Sequence, residues 1–287
     1  MRHSHWCNSP RESLVARRRR RYGGGVSSEP VRDNWEDGDA YEQFIGRWSS
    51  RVAVEFLHWL DLPVGLRWVD VGCGTGALSE AILETQNPAS VDGVEPSAGF
   101  ARSARERLGD RATVQVSPAE QLPLPDGSAD VVVSGLVLNF ISDLPAALAE
   151  MKRVAAGGTV GAYVWDYGGG MEMLRLFWDA SAEVDPTGST DEGSRFPICR
   201  PEALMAAFAA AGLEGPQVVP LDIPMLFENF DALWMPFTGG QGAGPSYLVS
   251  LDPEQQSAVK ASMRKRVPVA ADGTISLTAR AWAVRTN

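Results

Sequence analysis

The sequence predicts an α/β fold: a doubly wound, mostly parallel sheet of seven strands whose last strand is antiparallel. Three observations predict it. Short apolar runs alternate with helix-period segments from Leu66 onward, the first run ends in the glycine-rich turn Gly72–Gly76, and Val131-Val132-Val133 is nearly all valine. A valine run of that kind fits a strand covered on both faces, as parallel sheets require.

Ahead of the sheet, Tyr41, Phe44, Ile45, Trp48, Val52, Phe56, Trp59 and Leu60 recur at steps of three and four, which predicts an amphipathic N-terminal helix or pair of helices. The first strand is Leu66–Val71, followed by a helix over Ala77–Glu84. Ser90–Val94 is the second strand and Gly99–Leu108 its helix. Thr113–Val116 is the third, ending in a proline-rich loop over Leu122–Asp126, and Ala129–Ser134 is the fourth. The next helix carries Leu144, Leu148, Met151 and Val154 on one side, with Asp143 as its cap and Gly157-Gly158 as its stop. Thr159–Trp165 is the fifth strand, Pro201–Ala211 a helix ended by Gly212, and Gln217–Ile223 the sixth strand. An Asp272-Gly273 turn leads into the last strand, Ile275–Val284. One domain over residues 31–287 accounts for all of this, with residues 222–267 inserted before the last strand.

Composition narrows the function classes. The chain has 287 residues, 44% of them hydrophobic and 22% charged, which is an ordinary globular balance. Its longest apolar stretch, Val131–Ile141, is interrupted by Ser134, Gly135 and Asn139, well short of the roughly 18 residues of a membrane helix. Three cysteines and three histidines occur without metal-ligand spacing, so neither a metal site nor a disulfide framework is predicted. Residues 1–25 hold seven of the 26 Lys and Arg residues (Arg2, Arg11, Arg17–Arg21) and one of the 36 acidic ones. The rest is therefore more acidic than the overall net charge of −10 suggests, which disfavours nucleic-acid binding. No apolar run follows the Arg cluster, so the segment is not a secretory signal, and a cytoplasmic protein is expected. Residues 1–30 are expected to be a disordered tail. A basic arm for RNA or an acidic surface is a second reading, and an internal start after Gly23-Gly24-Gly25 a third.

The chemistry sits on the turn after the first strand, Val69-Asp70-Val71-Gly72-Cys73-Gly74-Thr75-Gly76-Ala77. In a doubly wound sheet, ligands bind outside the carboxyl ends of the strands at the switch point. Gly72, Gly74 and Ala77 match a dinucleotide fingerprint, while Asp70, Gly72, Gly74 and Gly76 match the D-x-G-x-G-x-G loop that binds S-adenosylmethionine. Charge separates the two. A carboxylate two residues before the first glycine opposes a pyrophosphate but attracts an ammonium and a sulfonium. Glu95, ending the second strand, is placed to accept from both ribose hydroxyls of either nucleoside ligand.

Residues 40–225, approximately, resemble the class I S-adenosylmethionine-dependent methyltransferases, a Rossmann-like family, and look most like its small-molecule group that includes the ubiquinone and menaquinone C-methyltransferases. The motifs VDVGCGTG, Glu95, AEQLPLPDGSADVVVS and LAEMKRVAAGG carry the resemblance. It implies S-adenosylmethionine as cofactor, with Asp70, Gly72, Cys73, Gly74 and Gly76 on its methionine part. Glu95, Pro96 and Ser97 would hold the ribose and Ala119 with Glu120 the adenine. Pro118 stands where the family often has an acidic residue, so adenine recognition falls to the backbone near Ala119 or to Glu120. Ser134 at the end of the fourth strand is a further cofactor candidate, as are Tyr41 and Arg47 in a helical lid, Arg47 opposite the methionine carboxylate.

Methyl transfer from a sulfonium needs alignment and exclusion of water more than a catalytic dyad. Candidate polar groups near the methyl are Asn139, Asp166 and Tyr167, with capping of the next helix an equal reading for Asp166. His58 reads as packing or surface and Cys73 as a small packing residue. Trp234, Phe237 and Tyr247, flanking a glycine-rich segment, are expected to form a lid over a small-molecule acceptor, or else to pack the insertion onto the sheet. A catalytically silent protein binding S-adenosylmethionine or S-adenosylhomocysteine is the competing function.

Overall fold

A computed structural model describes residues 46–155, 157–186, 191–239 and 242–286. All of these lie in the unit Val31–Asn287. The expectations for residues 1–30 and for Tyr41 lie outside the described residues.

The first described helix, α1 (Arg47–Leu60), buries Trp48, Val52, Ala53, Phe56, Leu57 and Leu60 along one stripe and ends where Asp61 adopts a left-handed conformation. Strand β1 (Arg67–Val71) leads through the glycine turn into α2 (Ala77–Thr85). Next come β2 (Ser90–Val94), α3 (Ala98–Leu108), β3 (Thr113–Gln115) and β4 (Val131–Gly135). They are followed by α4 (Leu144–Ala155), β5 (Thr159–Trp165), α5 (Glu172–Val184), α6 (Pro201–Ala210) and β6 (Gln217–Phe227). The insertion adds α7 (Ala243–Ser250) and α8 (Pro253–Arg266) before β7 (Ile275–Arg285) closes the sheet.

The seven strands run in the order β3-β2-β1-β4-β5-β7-β6. β1 pairs in parallel with β2 and β4, β2 with β3, and β4 with β5. β7 is antiparallel to both β5 and β6, so it alone runs against the others. The fold is the Rossmann-like one expected from the sequence. Its chain leaves β1 toward β2 and β3 and returns to β4 on the other side, which makes the crevice between β1 and β4 the switch point. One buried cluster fills the face under α1, α2 and α5, and a second fills the face under α4 and α6. Gly161 in β5 lets α1 approach closely, since a Cβ there would come 3.1 Å from Phe56 Cζ.

Three features depart from expectation. β6 runs on to Phe227 and pairs with β7 along its whole length, so residues 222–227 belong to the sheet and not to the insertion. Helix α5 lies where no element is predicted, although Met173, Leu174, Phe177, Trp178 and Ala180 follow a helical period. Helix α8 also was not predicted. Its apolar stripe is thin, and its signal is the cap: Asp252 accepts from Gln255 N, the Gln255 side chain returns the bond, and Pro253 opens the helix. Among the described residues no helix is long and apolar enough to cross a membrane, and no His, Cys, Asp and Glu cluster has the makings of a metal site.

Candidate functional site

At the carboxyl ends of β1 and β4 lies a cavity of about 300 Å³, near the lower end of the range for small-ligand sites. Its polar side comes from the β1 turn and the end of β2. Gly72, Gly74 and Gly76 all adopt positive φ, at 73°, 55° and 92°, a conformation that costs other residues free energy. The turn is pinned to β2, because Gly72 N and Cys73 N both donate to Val94 O, at 2.7 and 3.1 Å. A Cβ on Gly72 would stand 2.5 Å from Val137 Cγ1, so the β1 and β4 turns touch because that position lacks a side chain.

Asp70 reaches the cavity from β1 while only 1% exposed. Ser79 Oγ donates to its Oδ2 at 2.7 Å, and its Oδ1 is buried without a partner among the described residues. Burial pushes its carboxyl up to about 7; the Ser79 bonds oppose that and the charge of Glu95 adds to it. Glu95 accepts from Gly74 N through Oε2 (3.0 Å) and from Ser97 N through Oε1 (2.9 Å). Burial raises its pKa as well, against those two backbone bonds. Each of its oxygens keeps a lone pair for a further donor. Glu95 is thus a strut of the glycine turn as well as a wall of the cavity, a role that sequence spacing did not reveal. Ser97 accepts from Phe100 N and so caps α3, and Phe100 joins the lining.

The other side is apolar. Leu136, Val137 and Phe140 come from the turn after β4, and Tyr163 from β5 faces Gly135 across the strand pair. Ser49 enters from α1. None of these was predicted as a site residue, because their placement depends on pairing between distant segments.

Of the predicted residues, Asp70, Gly72, Cys73, Gly74, Glu95, Pro96 and Ser97 line the cavity. Cys73 packs against Gly93, and burial pushes its thiol far up, so it is no nucleophile. Gly76 stands just behind, packed against Leu108.

Several predicted residues are placed elsewhere. Ala119 is packed in the second core, and Glu120 accepts from Asp143 N at 3.3 Å, so neither lines the cavity. Ser134 is fully buried within β4 and does not line the cavity. Arg47 is exposed and lies over Trp48 and Phe227, at 4.0 and 5.2 Å from their ring centroids, because the stem and guanidinium cover apolar surface there. Asp166 closes the turn after β5 by accepting from Gly168 N at 3.1 Å. Asn139 is half-buried beside Phe140, and its Nδ2 has no partner among the described residues. Tyr167 packs on Phe196 at 5.9 Å. His58 is exposed on α1.

The expected lid is core. Trp234, Phe237 and Tyr247 are 7%, 0% and 4% exposed and do not line the cavity. Phe237 stacks on Phe177 with centroids 4.4 Å apart, Trp234 meets Phe237 at 6.0 Å, and Tyr247 meets Trp178 at 5.4 Å. Their partners sit on α5, the helix the sequence did not reveal, so the aromatic density has an interior to fill.

The residues present suit S-adenosylmethionine. A buried carboxylate with an unpartnered oxygen wants a cation, which the methionine ammonium and sulfonium supply and a pyrophosphate does not. Glu95 retains acceptor capacity for ribose hydroxyls, and Pro96 and Phe100, which follow it in the chain and line the same cavity, offer apolar surface to a flat base.

Comparisons with known proteins agree. Residues 69–161 match the family described as a methyltransferase domain. The chain is 35% identical over 158 residues to a malonyl-[acyl-carrier protein] O-methyltransferase of Geobacter sulfurreducens, covering 54% of this chain and 58% of that protein. It is 32% identical over 108 residues to a trans-aconitate 2-methyltransferase of Rhodopseudomonas palustris, 38% of this chain and 40% of that one. The chain spans about half the length of the curated relatives it matches. In fold, it superposes with a TM-score of 0.58 and 20% identity on a putative methyltransferase from an antibiotic biosynthesis pathway of Anabaena variabilis, over 83% of this chain and 96% of that one.

Proposed function

Given that the chain carries a class I S-adenosylmethionine-dependent methyltransferase domain, we propose that it transfers the cofactor's methyl group to a small organic acceptor. The single observation behind this is the buried, half-partnered carboxylate of Asp70 in a cavity at the sheet's switch point. When bound, S-adenosylmethionine supplies a methyl already activated for in-line displacement.

The protein's part is positioning. Asp70 holds the cationic end, with Ser79 fixing its carboxylate plane. Glu95 orients the ribose while its own oxygens keep the Gly74 and Ser97 amides in place. Leu136, Val137 and Phe140 exclude water from the side where the acceptor approaches. The unpartnered Nδ2 of Asn139, next to Phe140 in the turn after β4, is our candidate for holding a polar atom of the acceptor.

The test is transfer itself. Purified protein incubated with methyl-labelled S-adenosylmethionine and a cell extract should place label in a low-mass compound other than the cofactor, absent when the protein is omitted, with S-adenosylhomocysteine formed in step. Binding of the cofactor without label in any compound other than the cofactor contradicts transfer and favours the silent binder.

A further inference from the structure

We propose that Phe140, backed by Phe196 and Tyr167, forms the acceptor-recognition wall of the cavity, and that the acceptor is a flat aromatic or comparably apolar small molecule. This rests on the methyl-transfer reading above and adds a substrate class to it.

Phe140 lines the cavity and is nevertheless 43% exposed. A phenyl ring left this open at a cavity wall keeps apolar area in contact with water that a ligand would remove. The ring is held in place all the same. Phe140 N donates to Val137 O at 2.8 Å, which closes the turn after β4. Its ring stands edge-on to Phe196, with centroids 5.3 Å apart and an interplanar angle of 75°. Phe196 in turn meets Tyr167 at 5.9 Å, and the Arg195 guanidinium lies over it at 4.9 Å. Cys199 N donates to Phe196 O at 3.0 Å and fixes that backbone.

Three rings from three segments thus converge beside the cavity: the turn after β4, the turn after β5, and the residues just before α6. Phe196 and Tyr167 are half-buried, so part of each faces outward. The two sides of the cavity divide the work. Asp70 and Glu95 make one side polar and acidic, suited to the cofactor, whereas Leu136, Val137 and Phe140 make the other apolar. An acceptor that meets the second side finds a preformed aromatic edge, and edge-to-face or offset stacking is the favoured geometry for a flat ring there. The insertion aromatics, by contrast, are already packed against one another and against α5.

The experiment uses the full chain saturated with S-adenosylhomocysteine and titrated with 2-naphthol, a flat aromatic probe, and separately with glycerol, followed by saturation-transfer NMR. We expect 2-naphthol to bind and glycerol not to. Phe140→Ala and Phe196→Ala should each weaken 2-naphthol binding by about tenfold, with Phe140→Leu in between. S-adenosylhomocysteine affinity should stay within about twofold in Phe196→Ala, whose ring does not line the cavity, as it should in Val64→Ala, an exposed control at the far end of the sheet. Unchanged 2-naphthol affinity in both Phe140 variants, or no 2-naphthol binding by the wild-type protein with S-adenosylhomocysteine in place, overturns the wall and leaves the cofactor reading standing. Failure of S-adenosylhomocysteine itself to bind is a separate result that overturns both.

Discussion

Asp70→Asn abolishes tight S-adenosylmethionine binding and stabilises the ligand-free protein. The substitution keeps the side chain's shape, and an amide oxygen still accepts from Ser79 Oγ, but the negative charge is gone. Removing one partner of a buried charge pair costs roughly 3 kcal/mol or more, a little over a hundredfold in affinity. The stability change has the opposite sign. The Asp70 carboxyl, pushed up to about 7 by burial, holds its proton in the folded chain from about pH 4 to 7 while the unfolded chain has lost it. Stability of the ligand-free protein therefore falls as pH rises through that window, and above it the full cost of a buried charge is present. At pH 8 the asparagine variant is expected to gain up to about 4 kcal/mol, since each pKa unit is worth about 1.4 kcal/mol. Cofactor affinity runs the other way with pH. Pairing with a cation requires the ionised form, so affinity weakens as pH falls below about 7, by at most about tenfold per unit. Calorimetry of ligand binding and thermal melts of both proteins from pH 5.5 to 8 check all three signs. A variant that binds normally, or a wild-type affinity independent of pH over this range, places the cationic end of the ligand elsewhere.

Phe237→Ala destabilises the fold and leaves the cofactor site unaltered. Phe237 is fully buried and stacked on Phe177 at 4.4 Å, with Trp234 beside it. Deleting the ring leaves a cavity that α5 and the insertion cannot close without moving, at a cost of about 3–5 kcal/mol. For a domain of this size that is a drop of roughly 10 °C in melting temperature. S-adenosylhomocysteine affinity measured below the melting range stays unchanged, because no atom of Phe237 lines the cavity. A small change in melting temperature combined with weakened turnover of an acceptor restores the lid. The same experiment on Trp234 has the same expected sign.

What was legible in the sequence follows the range of the interactions. The strand alternation, the glycine turn and the acids at Asp70 and Glu95 are local patterns, fixed by side-chain period and by which residues tolerate positive φ. The cavity's polar side could be read because it lies within one βαβ unit. Its apolar side could not, because Gly135 faces Tyr163 only through β4–β5 pairing and Ser49 arrives on α1. The insertion misled for a related reason. An aromatic cluster beside a glycine-rich segment reads equally as lid or core until its partner is known, and that partner is α5. Arg47 and Glu120 are cases in which a suitable charge found a nearer use, over two rings and on the Asp143 amide.

Titration calorimetry of the purified chain with S-adenosylmethionine, S-adenosylhomocysteine and NAD, under one set of conditions at pH 7.5–8, tests the assignment of the site most directly. Both sulfur ligands should bind at one per chain, and NAD should give no heat of binding at the same concentrations. NAD binding without binding of either sulfur ligand would contradict it, because it would mean that the buried carboxylate of Asp70 tolerates a pyrophosphate and does not recognise a cation.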